Sequence, residues 1–174
     1  LMQGHTLRIG DHDWACIVGH GHAPEHISLH CETLGILISG DMVLPRISTN
    51  VSVIDLEPEA NPLPMYLESI ARLRALPGDT LVLPSHGRPF RGLHTRIDQL
   101  VAHHDERFAE VLAACAQMPQ TAASLLPVLF KRKLDLHQTT FAMGESIAHL
   151  HALWLDGRLK RVRGEDGVFR FVRP

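Results

Sequence analysis

No stretch of the 174-residue chain approaches the roughly 18 consecutive apolar residues of a membrane-spanning helix, which argues against a helical membrane protein. Disulfide-forming patterns are missing as well. The cysteines are Cys16, Cys31 and Cys115, widely spaced and without a C-x-x-C pair. That is the usage of buried thiols in a reducing compartment rather than of a disulfide framework, so the expected location is cytoplasmic. There is no internal repeat, no low-complexity segment and no charged-then-apolar leader. The chain opens in mid-pattern with Leu1-Met2-Gln3-Gly4 and no initiating Met, so further residues are expected upstream. What is present is ordinary globular material: 45% apolar residues and a mean hydropathy of +0.01. The length suits one domain, or one domain with a small appendage.

The densest chemistry lies in Cys16 to His30, C-I-V-G-H-G-H-A-P-E-H-I-S-L-H, which holds four of the chain's 13 histidines. Cys16-Ile17-Val18 reads as a short buried strand that breaks at Gly19 and Gly21 into a loop carrying His20, His22 and His26. A sheet holds such a loop rigid while leaving it reachable, and neutral imidazole is both a metal ligand and a general base. A histidine-rich surface loop is the plainer alternative for any one of these residues alone.

Further strands are expected at Thr6–Ile9, Trp14–Val18, Ile27–Leu29, Leu34–Ile38 and Thr80–Leu83. The second of these runs into the histidine loop, the fourth into Ser39-Gly40-Asp41, and the last into Pro84-Ser85-His86-Gly87. Three strand ends therefore deliver a His or an Asp to a loop. Residues 45–64, rich in Pro, Ser, Asn and Glu, read as a long loop of the kind that forms lids or substrate walls. Met65–Leu76 is spaced as a helix and stopped by Pro77-Gly78. After Gly92 the texture changes. Helices are expected over 93–118, 122–130 with Thr121 as N-cap, and 140–155 with Thr139 as N-cap, closed by Gly157. A hairpin over 159–172 follows, and three helices then a hairpin is the outline of a winged helix. The expected division is 1–92 and 93–174. Charge supports two modules: residues 1–94 hold 6 Lys/Arg against 10 Asp/Glu, and residues 95–174 hold 11 against 9.

Taken together, G-H-A-P-E-H at 21–26, S-G-D at 39–41 and P-S-H-G at 84–87 resemble the metallo-β-lactamase superfamily, in particular the branch with a C-terminal winged-helix extension. The resemblance implies an α/β (α+β) fold, the C-terminal half of an αββα sandwich followed by a small winged-helix domain. It implies a zinc-dependent hydrolase site in which His22 ligates one ion, His86 the other, and Asp41 bridges both and is central to catalysis. His20 and His26 fall at supporting positions, and His104 matches a histidine that winged relatives often carry near the site mouth. The implied reaction is hydrolysis of a thioester, ester or lactone in a small-molecule substrate. RNA processing by a metallo-β-lactamase-like ribonuclease is the alternative.

The family's H-x-H-x-D-H signature is absent: His20-Gly21-His22-Ala23-Pro24-Glu25 has Pro and Glu where Asp and His are needed, and His103-His104-Asp105 has the wrong order. Two protein donors per ion fall short of the three that catalytic zinc sites keep. The chain is therefore expected to be an incomplete hydrolase, inactive alone, completed by a missing N-terminal half or by a homo-oligomer. A non-catalytic remnant whose winged helix mediates association is the rival reading. Lys131, Arg132, Lys133, Arg158, Lys160, Arg161 and Arg163 could meet phosphates, yet the third helix of the extension carries no Lys or Arg. Nucleic acid is accordingly not the favoured partner, and a membrane is not expected.

Overall fold

A computed structural model describes all residues, Leu1–Pro174. The order of elements is β1 (Thr6–Ile9), β2 (His12–Gly19), β3 (His26–Cys31), β4 (Ile36–Gly40), α1 (Pro62–Arg72), β5 (Leu81–Pro84), α2 (Leu93–Gln117), α3 (Ala122–Leu129), α4 (Leu136–Leu155), β6 (Lys160–Arg163) and β7 (Phe169–Val172), with a 3-10 turn over Leu73–Ala75. Two compact units result. The first comprises residues 1–49 and 65–102, the second residues 50–64 and 103–174. No helix is long and apolar enough to cross a membrane.

The first unit is built on one five-stranded sheet in the order β1-β2-β3-β4-β5. Strands β1 to β4 pair antiparallel in succession, and β5 joins β4 in parallel. The β1–β2 hairpin turns on Gly10-Asp11, with Ile9 opposite His12 and Gly10 at φ 59. A glycine with positive φ in that place suits the primed turns that match strand twist. Because β2 and β4 are both antiparallel to β3, they run the same way, and β5 runs with them. The C-terminal ends of β2, β4 and β5 and the start of β3 therefore lie at one end of the sheet.

Helix α1 begins earlier than the expected Met65, at Pro62. Pro62 and Pro64 occupy its first turn, where backbone N–H groups have no intrahelical acceptor to lose. Tyr66, Ile70 and Leu73 repeat at helical spacing and are buried. In α2 the same periodicity places Leu93, Ile97 and Leu100 inside, and continues through His104, Val111 and Cys115. Each fully buried aliphatic or aromatic side chain of this kind contributes roughly 1.5–3 kcal/mol relative to exposure.

In the second unit, Val111, Leu125, Leu129, Leu150, Leu153, Leu159 and Phe171 form one core. Helix α3 is capped by Thr121, whose side chain accepts from the Ser124 N–H while the Ser124 hydroxyl accepts from the Thr121 N–H. The cap of α4 is Asp135, in the same reciprocal arrangement with Gln138. This corrects the expected start at Thr139: the acidic cap one turn earlier wins, and Thr139 instead hydrogen-bonds back to the Asp135 carbonyl. Gly157, at φ 75, ends the helix. Strands β6 and β7 form a separate two-stranded antiparallel sheet. Arg161 on β6 lies 3.7 Å from the Trp154 ring centroid and 4.4 Å from that of Phe169, and pairs with Glu59 at 2.8 Å. All three cysteines are buried and free, and burial pushes the Cys115 thiol up to about 11.

Candidate metal centre

Asp41 follows β4 directly, and the strand is shaped to present it. The β4–β5 ladder shifts register between Ile38 and Gly40, which re-aims the residues beyond it. Gly40 adopts φ +54, and a Cβ there would collide with Nε2 of His26. Only glycine fits, on both counts. The ring that fills the space takes a hydrogen bond at Nε2 from the Asp41 backbone N–H at 3.2 Å. Burial, with His22 adding to it against the pull of Asp41, holds His26 below the ordinary histidine value. A neutral ring is what that acceptor role requires.

The remaining polar atoms of Asp41 are held in turn. Thr49 donates its hydroxyl to the Asp41 carbonyl at 2.5 Å, and Ser85 donates to Oδ1 at 2.5 Å. Each carboxylate oxygen also faces a different imidazole: His22 Nε2 stands 3.5 Å from Oδ2, and His86 Nε2 stands 3.5 Å from Oδ1. His22 comes from the β2–β3 loop and His86 from the residues after β5, so the three are gathered by the common direction of their strands. His86 is 69% exposed, while His22 and Asp41 are each 28% exposed.

His20 does not join them. Its Nδ1 lies 2.6 Å from the Pro24 carbonyl and its backbone N–H donates to Ser69, so it braces the loop that carries His22. Arg72 strengthens the same brace through the Val18 carbonyl and the Ser69 hydroxyl. His104 belongs to the second unit. It is fully buried, with Nδ1 3.2 Å from Nε2 of His149, whose own Nδ1 lies 2.9 Å from the Glu145 carbonyl. Sequence reasoning missed Thr49, Ser69 and Ser85. Only Ser85 had a signal, its place beside His86 in P-S-H-G.

As a metal site the arrangement fits in donor type: two imidazole Nε2 atoms on either side of one carboxylate suit a pair of ions sharing Asp41. It does not fit in donor number. Each position has two protein donors, and no three His, Cys, Asp or Glu side chains converge to hold one ion.

The whole chain superposes, with a TM-score of 0.97 and 59% identity, on 52% of a beta-lactamase domain protein from Burkholderia ambifaria. It also superposes entirely, with a TM-score of 0.87 and 31% identity, on 54% of the metallo-beta-lactamase family protein TTHA1429 from Thermus thermophilus. The strand-end layout is thus that of a metallo-β-lactamase fold. Residues 3–86 match the metallo-beta-lactamase superfamily, and residues 108–174 match the family described as metallo-beta-lactamase-like, C-terminal domain. Between them, the two matches to metallo-β-lactamase superfamily domains account for most of the chain. Over 148 residues, 80% of its length, it is 28% identical to the probable metallo-hydrolase YqjP of Bacillus subtilis (strain 168) and covers 44% of that protein. It spans about half the length of these relatives.

Proposed function

We propose that the chain contributes the Asp41-centred part of a two-ion hydrolase site, with His22 toward one zinc, His86 toward the other and Asp41 between them. The observation that carries this reading is the division of Asp41's two oxygens between two histidines at equal distance. When bound, such ions supply Lewis acidity and lower the pKa of water. The chain's own residues fix the carboxylate: His26 holds its backbone, Thr49 its carbonyl and Ser85 one oxygen, so that little reorganisation is left for binding. The missing ligands come from outside these 174 residues, through further sequence of the same protein or a second copy. The substrate is a small molecule with a thioester, ester or lactone bond. Residues 1–92 carry the hydrolase part, and residues 93–174 form a winged-helix-like extension, a reading supported by the order of α2, α3, α4 and the β6–β7 hairpin. Nine residues of α4 are buried and the helix carries no Lys or Arg, which favours packing over nucleic-acid reading for that helix.

The test is zinc content per chain after dialysis, with the molar mass in solution measured alongside. The isolated monomer is expected to retain less than one ion per chain, and a protein or assembly with the full ligand set two. Asp41→Ala is expected to release both ions and abolish acyl-thioester hydrolysis. Two tightly held ions in a monomer of this chain would overturn the shared site. Cleavage of an RNA oligomer with no thioester hydrolysis would overturn the substrate class.

A further inference from the structure

Beside His86 opens a cleft of about 630 Å³, walled on one side by Pro45, Arg46 and Ile47 and on the other by the residues from His86 to Phe90. Both walls are held in place. Arg96 on α2 donates to the carbonyls of Leu44 at 2.6 Å and Ile47 at 2.8 Å. Phe90 exchanges two backbone hydrogen bonds with Val82 of β5, at 2.8 and 3.1 Å. The walls meet where Gly87, at φ +89, lies so close to Pro45 that a Cβ would stand 2.6 Å from its ring.

The charge of this cleft runs against its surroundings. Residues 1–94 are acidic, with 6 arginines and no lysine against 10 Asp/Glu. Four of those arginines are engaged: Arg8 with Asp13, Arg74 with Asp98, Arg72 with the Val18 carbonyl and Arg91 with the Asp79 carbonyl. The other two, Arg46 and Arg88, both line the cleft, are exposed, and make no hydrogen bond or ion pair. Two guanidinium groups brought to one cleft without a counter-charge repel each other, and a bound anion turns that cost into attraction.

We propose that this cleft receives the anionic end of the substrate, a carboxylate or phosphate group carried beside an apolar segment. Arg46 and Arg88 hold the charge, Ile47 and Phe90 cover the apolar part, and His86 on the rim marks the side on which the scissile bond lies. The word substrate rests on the hydrolase reading; the anion site itself does not.

The test is an NMR titration of the 174-residue chain with octyl phosphate, octanoate and the neutral octyl glucoside at low salt. It follows the Ile47 methyl and the Arg46 and Arg88 Nε–H signals. The two anions are expected to shift these signals and the glucoside to bind far more weakly. The order of octyl phosphate and octanoate tells phosphate from carboxylate. The double variant Arg46→Gln/Arg88→Gln should weaken anion binding about tenfold or more without lowering Tm, because neither side chain has a partner to lose and their mutual repulsion is relieved. Equal affinity for the glucoside, or unchanged affinity in the double variant, overturns the site. Anion binding without hydrolysis in the zinc-loaded assembly would uphold the site and remove the hydrolase reading. Hydrolysis with an unchanged KM for anionic thioesters in the double variant would do the reverse.

Discussion

The chain holds two clusters of histidines that could hardly differ more in situation. At the end of the five-stranded sheet, His22 and His86 flank a carboxylate and remain partly open to solvent. In the second unit, His104 and His149 touch ring to ring with no exposed surface at all. The open pair faces the two oxygens of Asp41 at 3.5 Å, and the closed pair is bonded ring to ring and to the Glu145 carbonyl. Access separates them. The open pair is within reach of an ion, whereas burial confines the closed pair to its neutral, internally bonded form. The tautomers of the closed pair follow from the bonds: His149 must donate from Nδ1 to the Glu145 carbonyl, so its Nε2 accepts from Nδ1 of His104.

The sharpest break in this comparison is at the open cluster. Gly40→Ala forces a side chain into a left-handed conformation and into the His26 ring. It should cost about 2–4 kcal/mol in urea unfolding, with loss of the His26–Asp41 contact visible in the His26 ring shifts. The closed cluster should show itself in acid. Burial lowers His104 to about 3 and His149 to about 4, against an ordinary 6.5. Below the ordinary value the unfolded chain takes up protons that the folded rings refuse. The stability that the pair contributes is therefore complete above that value and is lost as pH falls toward the depressed ones. Glu145 acts in the opposite sense. Burial raises it to about 7, so its contribution is present at low pH and fades as pH rises through that value. The double variant His104→Leu/His149→Leu should flatten the rise of the urea midpoint from pH 4 to pH 6.5, the window set by those values. An unchanged slope would mean the closed pair titrates normally. The smallest effect is expected from Ser85→Ala, which removes the hydroxyl from Oδ1 of partly exposed Asp41. Stability should change by less than about 1 kcal/mol, while zinc affinity of the completed site, followed by competition with a chelator, should fall about tenfold.

Much of the open cluster was legible because each of its members ends a short apolar run, and strand ends are easy to read. The register that points Asp41 was not, since it depends on Gly40 meeting His26 from another strand. The burial of His104 went unread in spite of a usable signal. This histidine stands seven residues after Ile97 and seven before Val111, on the stripe that α2 buries. The motif comparison drew attention to the residue type and away from that period. His149 and His151 lie two apart on α4, and both faces are covered: one ring meets His104, the other bonds the Ala60 carbonyl. The grouping of residues 50–64 with the second unit had no periodic signature. It rests on single contacts such as the Val53 N–H to the Gly144 carbonyl and Arg161 to Glu59. A Cβ on Gly144 would stand 2.6 Å from Ser52, so that glycine keeps room for the passing chain.

The mixed sheet also sets an order of assembly. Strands β1 to β4 are joined by short antiparallel connections, the kind of local pairing that forms early. Strand β5 pairs in parallel with β4 only after the chain between Gly40 and Leu81 has been traversed and closed into a loop. His22 and Asp41 thus share a neighbourhood as soon as the meander forms, while His86 waits for the slowest pairing in the sheet. The two sides of the Asp41 carboxylate are therefore expected to be furnished at different moments of folding, the exposed histidine last.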